Sequence, residues 1–311
     1  MAIHIQDPGM ATTVQDLGRY GYAHLGISPA GAADTLSFRL ANRLAGNDDN
    51  APALEMTLIG AALQFDEATV VAVAGAPCAI EVDGAPARHG AAIHLGAGSM
   101  LKCGQMTRGA RAYLAIRGGI DVPLVMGSAS TFLGAQFGGW EGRRLRRGDA
   151  LNVHRDATFV KEREIRSTLP IEVPGENRLR VTRGPQADWF EEDAFRTLLS
   201  TPFTVTDQCG RTGLRLHGER VVPRIASQLL TDGIALGAIQ IPADGQPIIL
   251  FVDQQTTGGY PKIANVIAAD MHCVGQLRAR DTVRFAEVSI EEAVRLLREQ
   301  ELWLKQISGR D

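Results

Sequence analysis

The feature that most constrains this fold is a succession of short apolar segments in residues 51–154, separated by turn-forming residues. Segments this short are too brief for helices of average length, whereas a strand needs only about 5–6 residues. The 34 glycines and an aromatic content of 5% agree with a turn-rich β protein. Such spacing favours a barrel or sandwich over βαβ units. We predict strands at 69–73, 78–82, 91–95, 112–116 and 149–153.

The second half of the chain shows the same pattern, and Asp244-Gly245 is a hairpin signal between two of its strands. We predict strands at 178–182, 203–206, 213–216, 238–241, 247–252 and 282–285, helices between Asp34 and Gly46, at 188–199 and after Ser289, and a loop system at 7–21. A charged interval at 155–167 interrupts the strand pattern, and 311 residues exceed what one core usually sustains. The prediction is therefore a mainly β chain with two domains, residues 1–160 and 161–311.

Charge and motif content narrow the class of function. A net charge of −3 without a basic face gives no footprint for nucleic acid or anionic lipid, and we expect neither partner. The basic run 143–147 precedes Asp149 and favours a solvated turn with a paired aspartate. No apolar run is long enough to span a membrane and the N-terminus lacks a signal pattern, so we expect a cytoplasmic protein. The four cysteines form no Cys-x-x-Cys pair, and no metal site is predicted.

Polar chemistry is concentrated in residues 253–262, which follow an apolar segment. The residues alone allow two interpretations of this stretch: a hairpin turn whose Thr and Gln side chains bond one another, or a binding site delivered from the end of a strand. In the first half, Gln15, Asp16 and Arg19 could point together into a cleft; alternatively, Asp16 and Arg19 form a turn clamp.

Several motifs together resemble a known family. Two of them are Thr12-Thr-Val-Gln-Asp-Leu-Gly-Arg19 and Gln255-Thr-Thr-Gly-Gly-Tyr-Pro261, and the others lie at 26–34, 39–47, 53–57, 118–123 and 245–248. The chain resembles the biotin-dependent carboxyltransferase family, and within it the branch that supplies the C subunit of bacterial 5-oxoprolinases. The family also includes allophanate hydrolase subunit 2, part of the urea carboxylase transferase region, and an antagonist of a sporulation-kinase inhibitor.

This resemblance implies cyclophilin-like β-barrels with peripheral helices. It also implies work in a complex with a smaller homologous subunit, the B component, and a barrel-type subunit, the A component. This complex opens 5-oxo-L-proline to L-glutamate at the expense of ATP with Mg²⁺. A carboxyltransferase role in urea or allophanate metabolism, or a non-catalytic antagonist role, are the alternatives. The chain has no Walker loop. Met100-Leu-Lys-Cys103 lacks the flanks of a biotin-attachment site, so we expect no covalently attached biotin.

On this resemblance we assign candidate roles within the 253–262 stretch. Asp253 is the candidate acid/base or metal contact, and Tyr260 and Lys262 are candidate charge stabilisers. The candidate substrate-binding residues, which supply hydrogen-bonding groups or close backbone approach, are Gln15, Asp16, Arg19, Asp34, Gln255, Thr256, Thr257, Gly258 and Gly259.

Overall fold

A computed structural model describes residues 1–154, 177–224 and 229–307, which divide into two compact units. Within the described chain, the first unit holds residues 1–19, 30–154 and 303–307, and the second holds 20–29, 177–224 and 229–302. The predicted charged boundary at 155–167 lies outside the described residues, so the division at residue 160 stays a prediction. No helix in the described chain has the length and apolar character needed to cross a membrane.

The first unit contains twelve strands and one helix, α1 (Thr35–Ala45). The strands are β1 (Ala2–Asp7), β2 (Ala11–Gln15), β3 (Ala53–Thr57), β4 (Ala62–Phe65), β5 (Thr69–Gly75), β6 (Cys78–Val82), β7 (Ala85–Pro86), β8 (Ala92–Leu95), β9 (Met100–Met106), β10 (Arg111–Ile116), β11 (Ile120–Asp121) and β12 (Ala150–Val153). They form one sheet in the order β11-β12-β1-β4-β9-β6-β7 and a second in the order β2-β3-β10-β5-β8.

Strand β10 shows how this unit is packed, since all six of its residues are buried. Leu114 and Ile116 belong to the main apolar core, to which strands of both sheets contribute. Tyr113, whose side chain points to the opposite face, packs edge-on against Phe38 of α1 at 5.9 Å between ring centroids. The five-stranded sheet is therefore covered by the core on one face and by α1 on the other.

Helix α1 begins and ends where the sequence predicts. Asp34 is its N-cap and accepts a hydrogen bond from the Ser37 backbone N–H at 2.8 Å. Gly46 follows its last turn with φ of +86°, a left-handed conformation that glycine adopts without steric cost.

The second unit is built on a closed barrel of seven strands in the order β13-β20-β17-β18-β15-β14-β21. The strands of this unit are β13 (Arg178–Arg183), β14 (Phe203–Cys209), β15 (Gly213–His217), β16 (Asp232–Gly233), β17 (Ala238–Gln240), β18 (Ile248–Leu250), β19 (Thr257–Gly258), β20 (Lys262–Val266) and β21 (Thr282–Glu287). The helices are α2 (Glu192–Ser200), α3 (Met271–Gln276) and α4 (Ile290–Ile307), of which residues 303–307 belong to the first unit. Strands β16 and β19 pair separately as a two-stranded ribbon.

Side-chain alternation fills the barrel interior. Leu214, Leu216, Ile239 and Ile249 are buried, and their neighbours along each strand point to the outer face. The barrel closes where β13 pairs in parallel with β21, a pairing between distant parts of the chain. The Asp244-Gly245 hairpin between β17 and β18 is confirmed.

The mainly β prediction is confirmed, and the strands predicted in both halves are present with shifted ends. The predicted turn at 143–147 is also confirmed, because Arg143 and Asp149 form a two-bonded ion pair with Nη1 to Oδ2 at 2.7 Å. At the start of α4, the Ser289 hydroxyl accepts from the Glu292 backbone N–H at 3.1 Å, which agrees with the helix predicted after Ser289.

Two predictions of local structure were wrong. Residues 7–21 are not wholly a loop, because β2 pairs along its full length with β3, from Ala11 opposite Thr57 to Gln15 opposite Ala53. Its polar side chains are buried and hydrogen-bonded, so its sequence does not alternate between apolar and polar residues as that of a typical strand does. The helix predicted at 188–199 begins only at Glu192, since Phe190 forms a β-bridge with Pro223.

Candidate functional site

The loop that follows β18 is fixed to the barrel by a buried ion pair. Asp253 is 7% exposed, and its carboxylate accepts from Arg211 Nε at 2.9 Å and from Arg211 Nη2 at 3.0 Å. The backbone N–H of Asp253 donates to the Arg211 carbonyl at 2.8 Å. One residue on, the Gln254 carbonyl accepts from the hydroxyl of Ser28, a buried residue of the 26–34 motif. Two segments of the second unit therefore meet at this loop.

A second ion pair anchors the other end of the loop. Lys262 is 2% exposed, and its Nζ donates to Asp232 Oδ2 at 2.7 Å. The hydrogen bond from this ammonium, helped by the Gly233 backbone N–H, lowers the pKa of Asp232. The carboxylate belongs to the ribbon in which Asp232 pairs with Gly258. The ribbon and the Lys262 side chain thus hold the Thr257-Gly258 segment in place.

Strand register places a row of side chains across the outer face of the barrel. Arg215 lies opposite Ile248, Ile248 opposite Gln240, and Gln240 opposite Lys262. Directly paired residues lie on the same side of a sheet, so these four side chains follow one another from strand to strand. The row joins a guanidinium, an aliphatic group, an amide and an ammonium.

This outer face carries a cleft of about 360 Å³, the size of a site for a small molecule. Apolar surface comes from Ile248 and Leu250, and the end of β14 forms one wall. The polar side chains that line it belong to Asp207, Gln208, Thr212, Arg215, Gln240, Gln255 and Tyr260. Tyr260 is 44% exposed, so its phenol is accessible from solvent.

Gln240 is the most unusual residue of this cleft. Its side chain is 1% exposed, and its Nε2 has no hydrogen-bond partner within the described chain. A buried amide without a partner costs free energy, which is recovered when a ligand supplies the acceptor. Gly258 lies directly against this amide, because a methyl group in place of its hydrogen would lie 3.1 Å from Gln240 Nε2 and 2.8 Å from Ile234 Cδ1. A larger residue at 258 would therefore require the ends of these two side chains to shift.

In the first unit, the predicted residues Asp16 and Arg19 belong to one buried cluster. The Asp16 carboxylate accepts from the Ser128 hydroxyl at 2.7 Å, from the Ala129 backbone N–H at 2.7 Å and from the Gly18 backbone N–H at 2.8 Å. It also accepts from the hydroxyl of Ser130, whose carbonyl in turn accepts from Arg19 Nη2. This carboxylate organises the loop at 128–130.

Gln15 and Asp34 are also nearly fully buried, at 0% and 1% exposure. Gln15 Nε2 donates to Thr13 Oγ1 at 3.0 Å. The Asp34 backbone N–H donates to the Tyr113 hydroxyl at 2.7 Å, and that hydroxyl donates to Glu55 Oε2 at 2.8 Å. Burial, with the nearby charges of Glu55 and Asp34, raises the pKa of Tyr113 well above its ordinary value.

The structure therefore separates the predicted site residues into groups with different surroundings. Gln255 and Tyr260 line the cleft, Thr257 and Gly258 form the ribbon strand, and Asp253 and Lys262 lie in buried ion pairs. Their roles toward a substrate stay predictions, as do those of Thr256, Gly259, Gln15, Asp16, Arg19 and Asp34.

Four residues of this region were not predicted from the sequence: Arg211, Arg215, Asp232 and Gln240. One signal was available for Gln240, which interrupts the apolar strand segment Ala238-Ile-Gln-Ile241. A glutamine at such a position must find a partner or face a ligand.

Comparison with known proteins identifies the family. Residues 25–287 match the family model described as carboxyltransferase domain, subdomain A and B. The chain belongs to this carboxyltransferase family. It is similar to the C subunit of 5-oxoprolinase from Escherichia coli K12, at 39% identity over 97% of this chain and 96% of the relative. The corresponding C subunit of Haemophilus influenzae is 37% identical over 98% of this chain and 97% of the relative.

Among solved structures, the carboxyltransferase fold is shared with the K. lactis urea amidolyase. The match has a TM-score of 0.92 and 34% identity, and it covers 98% of this chain but 20% of that protein. The chain thus spans about a fifth of the amidolyase, whereas it spans nearly all of the two bacterial 5-oxoprolinase relatives.

Proposed function

We propose that this chain is one subunit of an ATP-dependent 5-oxoprolinase, which hydrolyses 5-oxo-L-proline to L-glutamate. The observation that carries the proposal is end-to-end similarity to two proteins named as the C subunit of 5-oxoprolinase, at 39% and 37% identity. The proposed partners are the smaller homologous B component and the barrel-type A component, in the cytoplasm.

The chemistry of a lactam explains the coupling to ATP. An amide carbonyl is poorly electrophilic, so phosphorylation of its oxygen would supply a driving force that positioning alone does not give. We assign ATP and Mg²⁺ to the assembled complex, and we propose no covalently attached biotin. Within this chain, we propose Asp253 as an acid/base and Tyr260 and Lys262 as stabilisers of developing charge.

The test is release of glutamate and ADP from 5-oxoproline and ATP. We expect turnover by the chain mixed with the A and B components, and none by the chain alone. Turnover by the isolated chain would contradict a site shared within the complex. No turnover by any combination would overturn the proposed function.

Similarity to a urea amidolyase favours one alternative, a carboxyltransferase role in urea metabolism. This role requires a separate biotin carrier. Carboxylation of urea by the chain with a biotinylated carrier protein, ATP and bicarbonate, in the absence of 5-oxoproline turnover, would support it over our proposal.

A further inference from the structure

We infer that the cleft on the outer face of the barrel binds the lactam substrate, with Arg215 holding its carboxylate and the Gln240 amide bonding its ring carbonyl. The inference rests on the proposed function and deepens it by naming a substrate subsite. The ligand class is a small cyclic amide that carries one carboxylate.

The first support is the state of the two polar groups. Arg215 is exposed and makes no ion pair or side-chain hydrogen bond within the described chain, in contrast to Arg211, four positions earlier. Gln240 is buried with its Nε2 unbonded. Arg215 and Gln240 line the same cleft, and neither the guanidinium nor the Gln240 Nε2 has a partner within the described chain, which matches a ligand with one carboxylate and one carbonyl oxygen.

The second support is the spacing set by strand register. Arg215 and Gln240 both lie opposite Ile248, on the two strands that flank β18. Adjacent strands are about 4.8 Å apart, so the two residues begin roughly 10 Å apart, and their long side chains can reach one ligand across the Ile248 side chain. The methylene groups of a five-membered lactam ring would contact Ile248 and Leu250, which form the apolar surface between them.

The third support is the charge balance, which disfavours a polyphosphate. Asp207 lines the same cleft, and its carboxylate makes no ion pair within the described chain. An anionic wall beside a single guanidinium repels several phosphate charges, whereas it offers an acceptor for the N–H of a lactam. The cleft therefore fits the lactam better than it fits the nucleotide.

The experiment uses the complete complex and the variants Arg215→Gln and Gln240→Leu. Arg178→Gln is the matched control, because Arg178 is an exposed strand arginine of the same barrel outside the cleft. KM for 5-oxoproline, KM for ATP and kcat are measured for each, together with inhibition by 2-pyrrolidinone, a lactam that lacks the carboxylate. Melting temperatures check folding, and Arg215→Gln, at an exposed site, keeps the test decisive if Gln240→Leu is unstable.

We expect Arg215→Gln to raise KM for 5-oxoproline roughly 10- to 100-fold, because one charged hydrogen bond is lost. KM for ATP should not change. Its Ki for 2-pyrrolidinone should not change, whereas Gln240→Leu should weaken the binding of both 5-oxoproline and 2-pyrrolidinone. Arg178→Gln should match the wild type.

An unchanged KM for 5-oxoproline in Arg215→Gln, in a complex that turns over this substrate, overturns the subsite and leaves the proposed function standing. A rise in KM for ATP alone also overturns it and assigns the cleft to the nucleotide. If the wild-type complex releases no glutamate, the proposed function falls and the subsite falls with it.

Discussion

Arg211 holds the carboxylate of Asp253 by two parallel hydrogen bonds, from Nε to Oδ2 at 2.9 Å and from Nη2 to Oδ1 at 3.0 Å. The side chains of both residues are largely removed from solvent, at 12% and 5% exposure. A planar guanidinium that meets a carboxylate in this way fixes orientation as well as charge. Because the pair connects the start of β15 to the end of β18, it fixes the position of the chain at the start of the loop 254–262.

This pair predicts a loss of stability when either partner is removed alone. We expect Asp253→Ala and Arg211→Ala each to lower the free energy of unfolding by about 3 kcal/mol, because each leaves a buried charge without its partner. The double variant should lose less than the sum of the two. Urea unfolding of the four proteins gives the coupling energy. Additive losses would show that the two residues act independently.

Substitution of Tyr260 by phenylalanine distinguishes a chemical role of this side chain from a structural one. The phenol is exposed and lines the cleft, so Tyr260→Phe should leave the free energy of unfolding within about 0.5 kcal/mol of the wild type. If the hydroxyl stabilises developing charge, kcat of the complete complex should fall about 100-fold. Tyr20→Phe, at another exposed tyrosine, is the control. Unchanged kcat in Tyr260→Phe would remove this residue from the proposed catalytic set.

Substitution of Lys262 should change the pKa of its ion-pair partner, Asp232. Replacement by methionine removes the ammonium that lowers the pKa of Asp232, so that pKa should rise toward its ordinary value. Carboxyl-carbon NMR during a pH titration measures the shift. The complete complex should also lose roughly 100-fold in kcat if the ammonium stabilises charge. Lys102→Met, at an exposed lysine of β9, should change neither quantity.

The sequence predicted elements whose own residues carry the signal and missed those that depend on distant partners. Helix α1 was predictable because Asp34, the leucine spacing and Gly46 mark its start, face and end. Strand β2 was not, because a polar residue such as Gln15 is buried only through partners such as Thr131, more than a hundred residues away. A polar strand of this kind resembles a loop until its sheet is known.

The same limit applies to the site. The polar loop at 253–262 was visible as composition, and its glycine at 258 as a place of close approach. The cleft was not visible, because Arg215 and Gln240 become neighbours only through the register of β15, β17 and β18. Barrel closure by the parallel pairing of β13 with β21 also depends on residues about a hundred positions apart.

Asp149 predicts how stability depends on pH in the first unit. Its hydrogen bonds from Arg143 lower its pKa in the folded protein below the ordinary value of about 3.9. A lowered pKa gives stability that is present above the unfolded-state pKa and is lost as pH falls through the folded-state value. The stability difference between wild type and Asp149→Asn should therefore be largest near pH 6 and shrink below about pH 4.

Urea unfolding at several pH values between about 3 and 6 measures that difference. Glu81→Gln is the control, since Glu81 has no ion pair or side-chain hydrogen bond within the described residues. A difference for Asp149→Asn that stays constant down to about pH 3 would contradict the assigned cause.

In the Asp16 cluster, replacing a single carboxylate oxygen by an NH₂ group should cause a large loss of stability. All four groups that bond the carboxylate are hydrogen-bond donors: two serine hydroxyls and two backbone N–H groups. Asp16→Asn keeps the shape but turns one acceptor into an NH₂ group that faces those donors. We expect the free energy of unfolding to fall by about 3 kcal/mol, through a lost charged hydrogen bond and an unsatisfied buried donor. Asp66→Asn, at an exposed aspartate that bonds His4, should cost less than about 1 kcal/mol, and equal losses in the two variants would show that the buried cluster is not what makes Asp16 important.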